Sequence, residues 1–190
     1  MDQNSQNTQG GKYFKLNDTR NSIIHVPYLD PANCTDGKLY PIDHLVQSRS
    51  NPEVMLFHGL YKCGNINTDY IKLTTNGGAT IKELPFGGGN RGEQCYGFEI
   101  QPSDFNVIYV LHKLHNGKQY MDAVLWKSTD WGATWDSVNT LYGIKPLERP
   151  FSTSGLHGGF LKSPFWNSNI LFVNGYSTLL ASGDKGQKFF

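Results

Sequence analysis

Six residues that could hold a ligand lie in segments rich in glycine, proline and polar side chains. They are Tyr61, Arg91, Glu93, Glu148, Arg149 and His157. A guanidinium group binds a carboxylate through two parallel hydrogen bonds, so the two arginines suit an anionic ligand. Loops on a rigid scaffold commonly carry such residues. These six side chains are therefore candidate ligand-binding residues, provided that the elements around them bring them together.

The cysteines and histidines do not form a metal-binding pattern. Cys34, Cys63 and Cys95 are widely spaced and include no C-x-x-C pair, which argues against zinc and against a complete disulfide framework. We expect buried thiols, and a bridge between Cys63 and Cys95 stays open. His58 and His112 follow apolar runs and are expected at the edge of a core. The sequence therefore predicts no metal and no cofactor.

Charge and composition exclude several classes of partner. The formal charge is +1 and no basic block is present, so binding of nucleic acid through its phosphates is not expected. Residues 87–92 are glycine-rich but lack the Gly-Lys-Ser/Thr ending of a phosphate-binding loop. No apolar run approaches the ~20 residues of a membrane-spanning helix. Residues 1–9 are polar and do not resemble a secretory signal, although an extracellular or virion-associated location stays open.

The composition favours strands over helices. Aromatic residues make up 13% of the chain, and 21 glycines and 9 prolines supply turns. Aromatic and β-branched residues suit a pleated, half-buried surface, and frequent turn formers connect short strands. A chain of 190 residues is long enough for one domain with a sizeable core. We therefore predict an all-β domain.

A turn-forming octapeptide occurs three times at a constant spacing. Residues 128–135 read Ser-Thr-Asp-Trp-Gly-Ala-Thr-Trp, and related octapeptides begin at residues 74 and 182, each 54 residues away. Asp130 can bond to nearby backbone amides, as aspartate does in an Asx-turn. Gly132 can adopt a positive φ that a side chain would resist. The three segments, which we call the repeat turns, indicate an internal repeat of hairpins.

The structural residues of the repeat turns follow from this spacing. They are Thr74, Asn76, Gly78, Thr80, Ser128, Asp130, Gly132, Thr134, Trp135, Ser182, Asp184, Gly186 and Phe189. We expect all of them to shape turns and none of them to act on a ligand. Trp135 is expected to anchor the core of its hairpin.

These octapeptides resemble the Asp-box, the repeat motif of sialidase-like β-propellers. The resemblance covers roughly residues 43–190, and only the repeat turns are specific. It implies four-stranded antiparallel blades in which each turn lies between the third and fourth strands, away from any active centre. It therefore predicts architecture more strongly than chemistry.

The predicted organisation is a flexible lead-in followed by one β-propeller-like domain. The lead-in covers residues 1–11 and the domain covers residues 12–190, with residues 12–42 supplying extra or closing strands. Blades are predicted near residues 43–84, 97–139 and 158–190. A propeller usually has four to eight blades. The missing closure could come from the N-terminal strands, from other chains or from blades of a longer protein, and we favour the last two.

Loops at one end of such blades usually bind the ligands of this family. The resemblance places residues 59–69, 85–96, 113–119 and 140–157 at that end, together with the six candidate residues. Arg49 falls in a turn at the opposite end. Trp131 and Trp166 have two alternatives: exposure with stacking on a sugar ring, or packing against the protein surface, which we favour for each.

A complete sialidase site cannot be drawn in this chain. Sialidases resemble one another in an arginine triad, a tyrosine nucleophile paired with glutamate, and an aspartate acid/base. Only four arginines are present, and the run Leu-Glu-Arg-Pro at residues 147–150 lacks the isoleucine of the family's Arg-Ile-Pro signature. We therefore predict a non-catalytic binding or structural module, with a glycan ligand and self-association as its partners. The alternatives are a sialidase-like hydrolase completed by another chain or missing blades, and a platform for protein assembly.

Overall fold

The regular elements are all β-strands in the part of the chain that the structure describes. The computed structural model describes residues 13–16, 23–26, 38–39, 44–63, 66–86, 95–114, 122–142, 160–174 and 179–190. The strands in these ranges are β1 Tyr13–Leu16, β2 Ile23–Val26, β3 Lys38–Leu39, β4 His44–Gln47, β5 Met55–Cys63, β6 Ile66–Thr74, β7 Lys82–Glu83, β8 Cys95–Ile100, β9 Ile108–Leu114, β10 Asp122–Ser128, β11 Asp136–Leu141, β12 Phe160–Lys162, β13 Leu171–Asn174 and β14 Leu179–Ser182. No helix among these residues is long and apolar enough to cross a membrane.

The strands form a hairpin and three larger antiparallel sheets. β1 pairs with β2, and both lie in the segment 12–42 for which extra strands are predicted. In the first sheet, β5 pairs with β6 on one side and with β3 and β4 on the other, and β7 follows β6. The second sheet is a four-stranded meander of β8 to β11, and the third contains β12, β13 and β14. The prediction of an all-β chain with four-stranded antiparallel sheets is confirmed, while closure into a ring stays a prediction.

The alternation of side chains along β9 explains how the sheets stack. Successive strand residues point to opposite faces, so a strand that is apolar on both faces must be covered twice. Ile108 and Val110 belong to a core shared with the first sheet. Tyr109 and Leu111 belong to a core shared with the third sheet. The second sheet is therefore packed between its two neighbours.

Each core contains side chains from two consecutive sheets. The first core joins the first and second sheets through Val46, Val54, Leu56, Ile71, Leu73, Leu84, Phe86, Phe98, Ile100, Ile108 and Val110. The second core joins the second and third sheets through Val107, Tyr109, Leu111, Ala123, Leu125, Leu141, Leu161, Leu171 and Val173. Burial of this apolar surface is the main favourable contribution to folding.

The pairing between the third and fourth strands repeats in the same phase as the repeat turns. Leu73 pairs with Lys82 in the first sheet, and Lys127 pairs with Asp136 in the second. At the same phase in the third sheet, the N–H and C=O groups of Ala181 bond those of Phe190 at 3.1 and 3.0 Å. The 54-residue period of the sequence is therefore also a period of the backbone register.

Three predicted loop boundaries are wrong. Residues 59–69 were expected to form a loop, but β5 and β6 continue to Cys63 and from Ile66. Nine consecutive backbone pairs form this hairpin, and five of them lie beyond His58. Strand pairing therefore continues through Gly59 and the polar residues that suggest a loop. β9 likewise extends to Leu114 into the predicted loop 113–119. β8 begins at Cys95, inside the predicted loop 85–96.

Candidate functional site

The structure leaves five of the six candidate ligand-binding residues untested. Arg91, Glu93, Glu148, Arg149 and His157 lie outside the described residues. The sixth is part of β5, where the backbone of Tyr61 pairs with that of Thr68. Tyr61 is therefore in a strand, in contrast to the loop predicted for it.

The repeat turns share one set of hydrogen bonds. In each turn, the leading hydroxyl oxygen accepts a bond of 2.8 Å from the backbone N–H of the glycine four positions later. These pairs are Thr74 with Gly78, Ser128 with Gly132, and Ser182 with Gly186. The same hydroxyl donates to the turn's Asn or Asp side chain, at 3.1 Å from Thr74 and 2.8 Å from Ser128 and Ser182. The hydroxyl thereby connects the first, third and fifth residues of the octapeptide.

The acidic or amide side chain closes the turn from the other end. Asp130 Oδ1 accepts bonds from the N–H groups of Thr134 and Ala133 at 2.8 and 3.0 Å, and its Oδ2 accepts from the Thr134 hydroxyl at 2.7 Å. These donors, the Thr134 N–H foremost, lower the pKa of Asp130 to about 2. Asn76 accepts from the Thr80 N–H at 2.8 Å, but its Nδ2 donates to the Thr80 hydroxyl at 2.9 Å.

The third repeat turn follows the same scheme without the threonine. Asp184 Oδ1 accepts a bond of 2.9 Å from the backbone N–H of Lys188. This bond is the main cause that lowers the pKa of Asp184, followed by the hydroxyl of Ser182. The two carboxylates are thus occupied by the amides of their own turns.

Two consecutive residues in each repeat turn have positive φ. The pairs are Gly77 and Gly78 (63° and 91°), Trp131 and Gly132 (61° and 70°), and Lys185 and Gly186 (60° and 89°). Positive φ at both central residues is typical of a type I′ hairpin turn, which matches the twist of the flanking strands. The glycines also leave room for the neighbouring sheet. A Cβ on Gly132 would lie 2.7 Å from Leu84 Cδ2, and a Cβ on Gly186 would lie closer still to Leu125.

A second set of matched turns joins the first and second strands of each sheet. We call residues 48–54, 101–107 and 163–170 the connecting turns. In each, an Asn or Asp Oδ1 accepts from the N–H two residues later, at 3.0 to 3.1 Å, and its C=O accepts from the N–H three residues later. The residues that accept are Asn51, Asp104 and Asn167. This is the Asx-turn geometry, which fixes the loop without outside help.

The two sets of turns lie at the same end of the sheets. Gly77 N–H donates to the C=O of Glu53 at 2.9 Å, and Lys185 N–H donates to the C=O of Asn169 at 2.8 Å. Each bond joins a repeat turn to the connecting turn of its own sheet. The expectation that both kinds of turn share one face is therefore confirmed for the first and third sheets.

The tryptophan of the second repeat turn packs against the protein. Trp131 is half-buried and packs against the first core, with its ring centroid 5.2 Å from that of Phe105. Of the two alternatives for Trp131, packing is therefore observed, in place of an exposed face for a sugar. A tryptophan in a tight turn buries its large apolar surface where a neighbouring sheet lies within reach.

An exposed aromatic pair with an arginine lies among the connecting turns. Phe165 and Trp166 are 63% and 70% exposed, and their rings meet edge to face with centroids 5.0 Å apart. The guanidinium carbon of Arg49 lies 5.1 Å from the centroid of Phe165. We call these three residues the Arg49 cluster. The cluster joins the connecting turns of the first and third sheets. These turns follow β4 and β12, which both contact β8 of the second sheet and are thereby brought near each other.

The Arg49 cluster could bind a sugar. Aromatic faces pack against the apolar C–H face of a pyranose ring, and a guanidinium donates up to five N–H hydrogen bonds. The sequence predicted the turn that carries Arg49 and left Trp166 either exposed or packed, with packing favoured, but it did not single out Phe165 or bring the three together. The missing information was the contact between turns of non-consecutive sheets, because residues 49 and 165 are far apart in the chain.

A buried ion pair lies between the second and third sheets. Glu99 on β8 is 7% exposed, and its Oε2 lies 3.0 Å from Lys162 Nζ on β12. Burial raises the pKa of Glu99, while Lys162 and the N–H of Ile100 oppose that shift. Sequence analysis did not identify this pair, since an isolated glutamate in a strand gives no signal of its partner.

Acidic residues are sparse on the first strands of the three sheets. Glycosidases commonly use two carboxylates on either side of the scissile bond. Among residues 44–48, 95–101 and 160–163, which contain the first strands of the three sheets, Glu99 is the only acidic residue. No group of three or more His, Cys, Asp or Glu residues in the described part could hold a metal ion.

Comparison with known proteins supports the architecture. No family model matches the chain, and no curated protein matches it. Among solved structures, it is similar to the GH74 xyloglucanase from Xanthomonas campestris, with 19% identity and a TM-score of 0.54 over 78% of this chain and 23% of that one. It is also similar, at a lower TM-score of 0.45, to a GH74 enzyme from Niastella koreensis. The identity is 16%, over 78% of this chain and 22% of that one.

The likeness concerns the fold alone. The similar xyloglucanase is a β-propeller glycoside hydrolase. The chain spans less than a quarter of the length of either structure. The three stacked sheets therefore have the arrangement of part of a β-propeller, a fold found in carbohydrate-active proteins.

Proposed function

We propose that the chain is part of an Asp-box β-propeller and acts as a non-catalytic carbohydrate-binding module within a larger viral or secreted assembly. The observation that carries this proposal is the exposed Arg49 cluster. Adjacent exposed apolar side chains bordered by a polar group are more typical of an interaction site than single exposed side chains are. Three adjacent groups with this chemistry suit a sugar better than a purely apolar partner.

The repeat turns support the Asp-box part of the proposal. All three turns share the hydroxyl-to-glycine bond and the pair of positive φ angles. Two of them dock a glycine against the preceding sheet. Such a unit can be repeated around an axis, because each interface has the same parts.

A hydrolase is the less favoured alternative. The similar enzyme is named a xyloglucanase, but at 19% identity that name does not transfer to this chain. Glu99 already pairs with Lys162, and a glycosidase of the common kind requires a second carboxylate. In this alternative, a sialidase-like hydrolytic site would be completed by another chain or by further blades of a longer protein.

Two further predictions belong to the proposed function: a second binding region and self-association. Arg91, Glu93, Glu148, Arg149, His157 and Tyr61 remain candidates for a second binding region at the opposite end of the sheets. Self-association or assembly with other chains also remains part of the proposal.

A glycan-binding assay with two aromatic variants tests the proposal. The purified chain is screened on a glycan array, and the best ligand is titrated by calorimetry. We expect Trp166→Ala to weaken binding about tenfold or more, because stacking on the ring is lost. Tyr142→Ala is the matched control, since Tyr142 is also exposed (78%) but lies after β11 in the second sheet. An array without any bound glycan would contradict the proposal, and loss of binding in Tyr142→Ala alone would move the site away from the Arg49 cluster.

A further inference from the structure

We infer that the Arg49 cluster selects sugars that carry a carboxylate, with Arg49 binding the acid and the aromatic pair binding the ring. This inference rests on the proposed carbohydrate-binding function and adds the class of ligand. It concerns the end of the sheets that carries the connecting turns, away from the loops that sequence analysis assigned to ligand binding.

The first argument is the uncompensated charge of Arg49. Arg49 is exposed, and no carboxylate among the described residues forms an ion pair with it. Two other cations of the described residues are engaged in contrast to it: Lys162 pairs with Glu99, and Lys82 Nζ donates to the C=O of Gly132 at 3.0 Å. A guanidinium that rests on an aromatic ring keeps its N–H groups at its edge, where they can meet a carboxylate.

The second argument is the arrangement of the rings. Phe165 and Trp166 meet at an interplanar angle of 87°, so their faces point in different directions. Arg49 covers a face of Phe165, while Trp166 is 70% exposed. The Arg49 guanidinium carbon and the Trp166 ring centroid lie 5.1 and 5.0 Å from the centroid of the same Phe165 ring, so the guanidinium is within reach of the substituents of a pyranose stacked on Trp166.

The third argument is the rigidity of the backbone that carries the cluster. In the first sheet, Ser48 N–H donates to the C=O of Val54 at 2.9 Å, and Asn51 N–H donates to the Ser48 hydroxyl at 3.2 Å. In the third sheet, Asn167 bonds both Asn169 and Ile170. A site held by its own hydrogen bonds loses little entropy when a ligand binds.

The experiment compares acidic oligosaccharides with matched neutral ones. The wild-type chain is titrated with 3′-sialyllactose and lactose, and with trigalacturonic acid and galactotriose, at low and at physiological salt. The variants are Arg49→Gln, Trp166→Ala and Lys127→Gln. Lys127→Gln removes the same charge from β10 and is the control for general electrostatic attraction.

We expect the wild-type chain to bind at least one acidic sugar about tenfold more tightly than its neutral counterpart. Arg49→Gln should remove that preference and leave binding of the neutral sugar unchanged. Trp166→Ala should weaken binding of both sugars, and Lys127→Gln should change neither.

Two outcomes would overturn the inference while the proposed function stands. One is equal affinity of the wild-type chain for acidic and neutral sugars. The other is an equal loss in Arg49→Gln and Lys127→Gln, which would indicate general charge attraction. If none of the four sugars binds and the glycan array is also empty, the proposed function fails together with the inference.

Discussion

Asp130 and Asn76 occupy equivalent positions in two repeat turns and use different chemistry. Asp130 accepts a bond from the Thr134 hydroxyl, whereas Asn76 donates to the Thr80 hydroxyl. A threonine hydroxyl can donate or accept, so the turn tolerates either side chain. The turn therefore depends on a bonded oxygen at this position more than on a negative charge.

This tolerance leads to a prediction for Asp130. We expect Asp130→Ala to lower the melting temperature, because the N–H groups of Thr134 and Ala133 lose their acceptor. Asp130→Asn should lower it less, since Asn76 shows that the amide preserves the turn. Thermal melts of the three proteins at pH 7 check this order. Equal melting temperatures for the alanine and asparagine variants would contradict it.

The pH dependence of the same variants follows from the sign of the shift. The folded pKa of Asp130 is lowered from 3.8 to about 2, so its contribution to stability is present above pH 4 and is lost as the pH falls toward 2. The loss in the wild-type chain between pH 4 and pH 2 should therefore exceed that in Asp130→Asn.

The sequence predicted individual side chains well where a local turn decides their role. The hydroxyl, acid and glycine of a repeat turn lie within five residues, so their bonds follow from local spacing. Glu99 and Lys162 come from different sheets, as do Arg49 and Phe165, and their meeting depends on how the sheets pack. A single sequence carries no signal for such contacts.

At the scale of elements, glycines connect the repeat turns to the neighbouring sheets. Gly132 and Gly186 combine a positive φ with a close approach to leucine side chains of another strand. An alanine at either position would be held in a left-handed backbone conformation that disfavours a side chain. Its Cβ would also clash with Leu84 or Leu125 of the neighbouring sheet. Gly183 lies in the third repeat turn with no atom near a would-be Cβ.

We expect Gly132→Ala and Gly186→Ala each to destabilise the chain by about 2–5 kcal/mol, from the left-handed backbone and the overpacked contact together. Gly183→Ala is the matched control and should change the free energy of unfolding by less than about 0.5 kcal/mol. Urea denaturation measures all three. A neutral Gly186→Ala would show that the third turn does not dock on Leu125 as described.

Strand boundaries were predicted where turn formers punctuate the chain and missed where they do not. Most strands of the three sheets lie within a few residues of their predicted positions. The long hairpin of β5 and β6 was missed, because Gly59 and the polar residues after Cys63 suggested a loop. Backbone pairing needs no particular side chain, so an extended hairpin can include such residues.

At the scale of the whole molecule, the third sheet presents a face that the other two sheets bury. Ile71, Leu125 and Leu179 are spaced by 54 residues, and the first two are fully buried against the next sheet. Leu179 is 64% exposed and Phe190 is 83% exposed. An apolar face of this kind is typical of an interface.

We therefore expect the chain to self-associate through this face. Light scattering should give a mass above 21.3 kDa that rises with concentration. Leu179→Lys should return the chain to the monomer mass, because a charge in the interface would be desolvated without a partner. Leu45→Lys, on the 48% exposed Leu45 of the first sheet, is the control and should leave the association intact. A concentration-independent monomer for the wild-type chain would contradict the prediction.

The first repeat turn has a consequence for chemical ageing. Asn76 precedes Gly77, and asparagine followed by glycine deamidates when the glycine nitrogen attacks the side-chain carbonyl. Here the Gly77 N–H is bonded to Glu53, and the Asn76 Oδ1 is held by Thr80. Folding therefore opposes the reaction, which requires both groups to be released. The attack releases ammonia and forms a succinimide, which water opens to aspartate or isoaspartate. The aspartate product would give the first turn the side chain that the second and third turns already have, with one added negative charge, whereas isoaspartate would lengthen the backbone and break the turn.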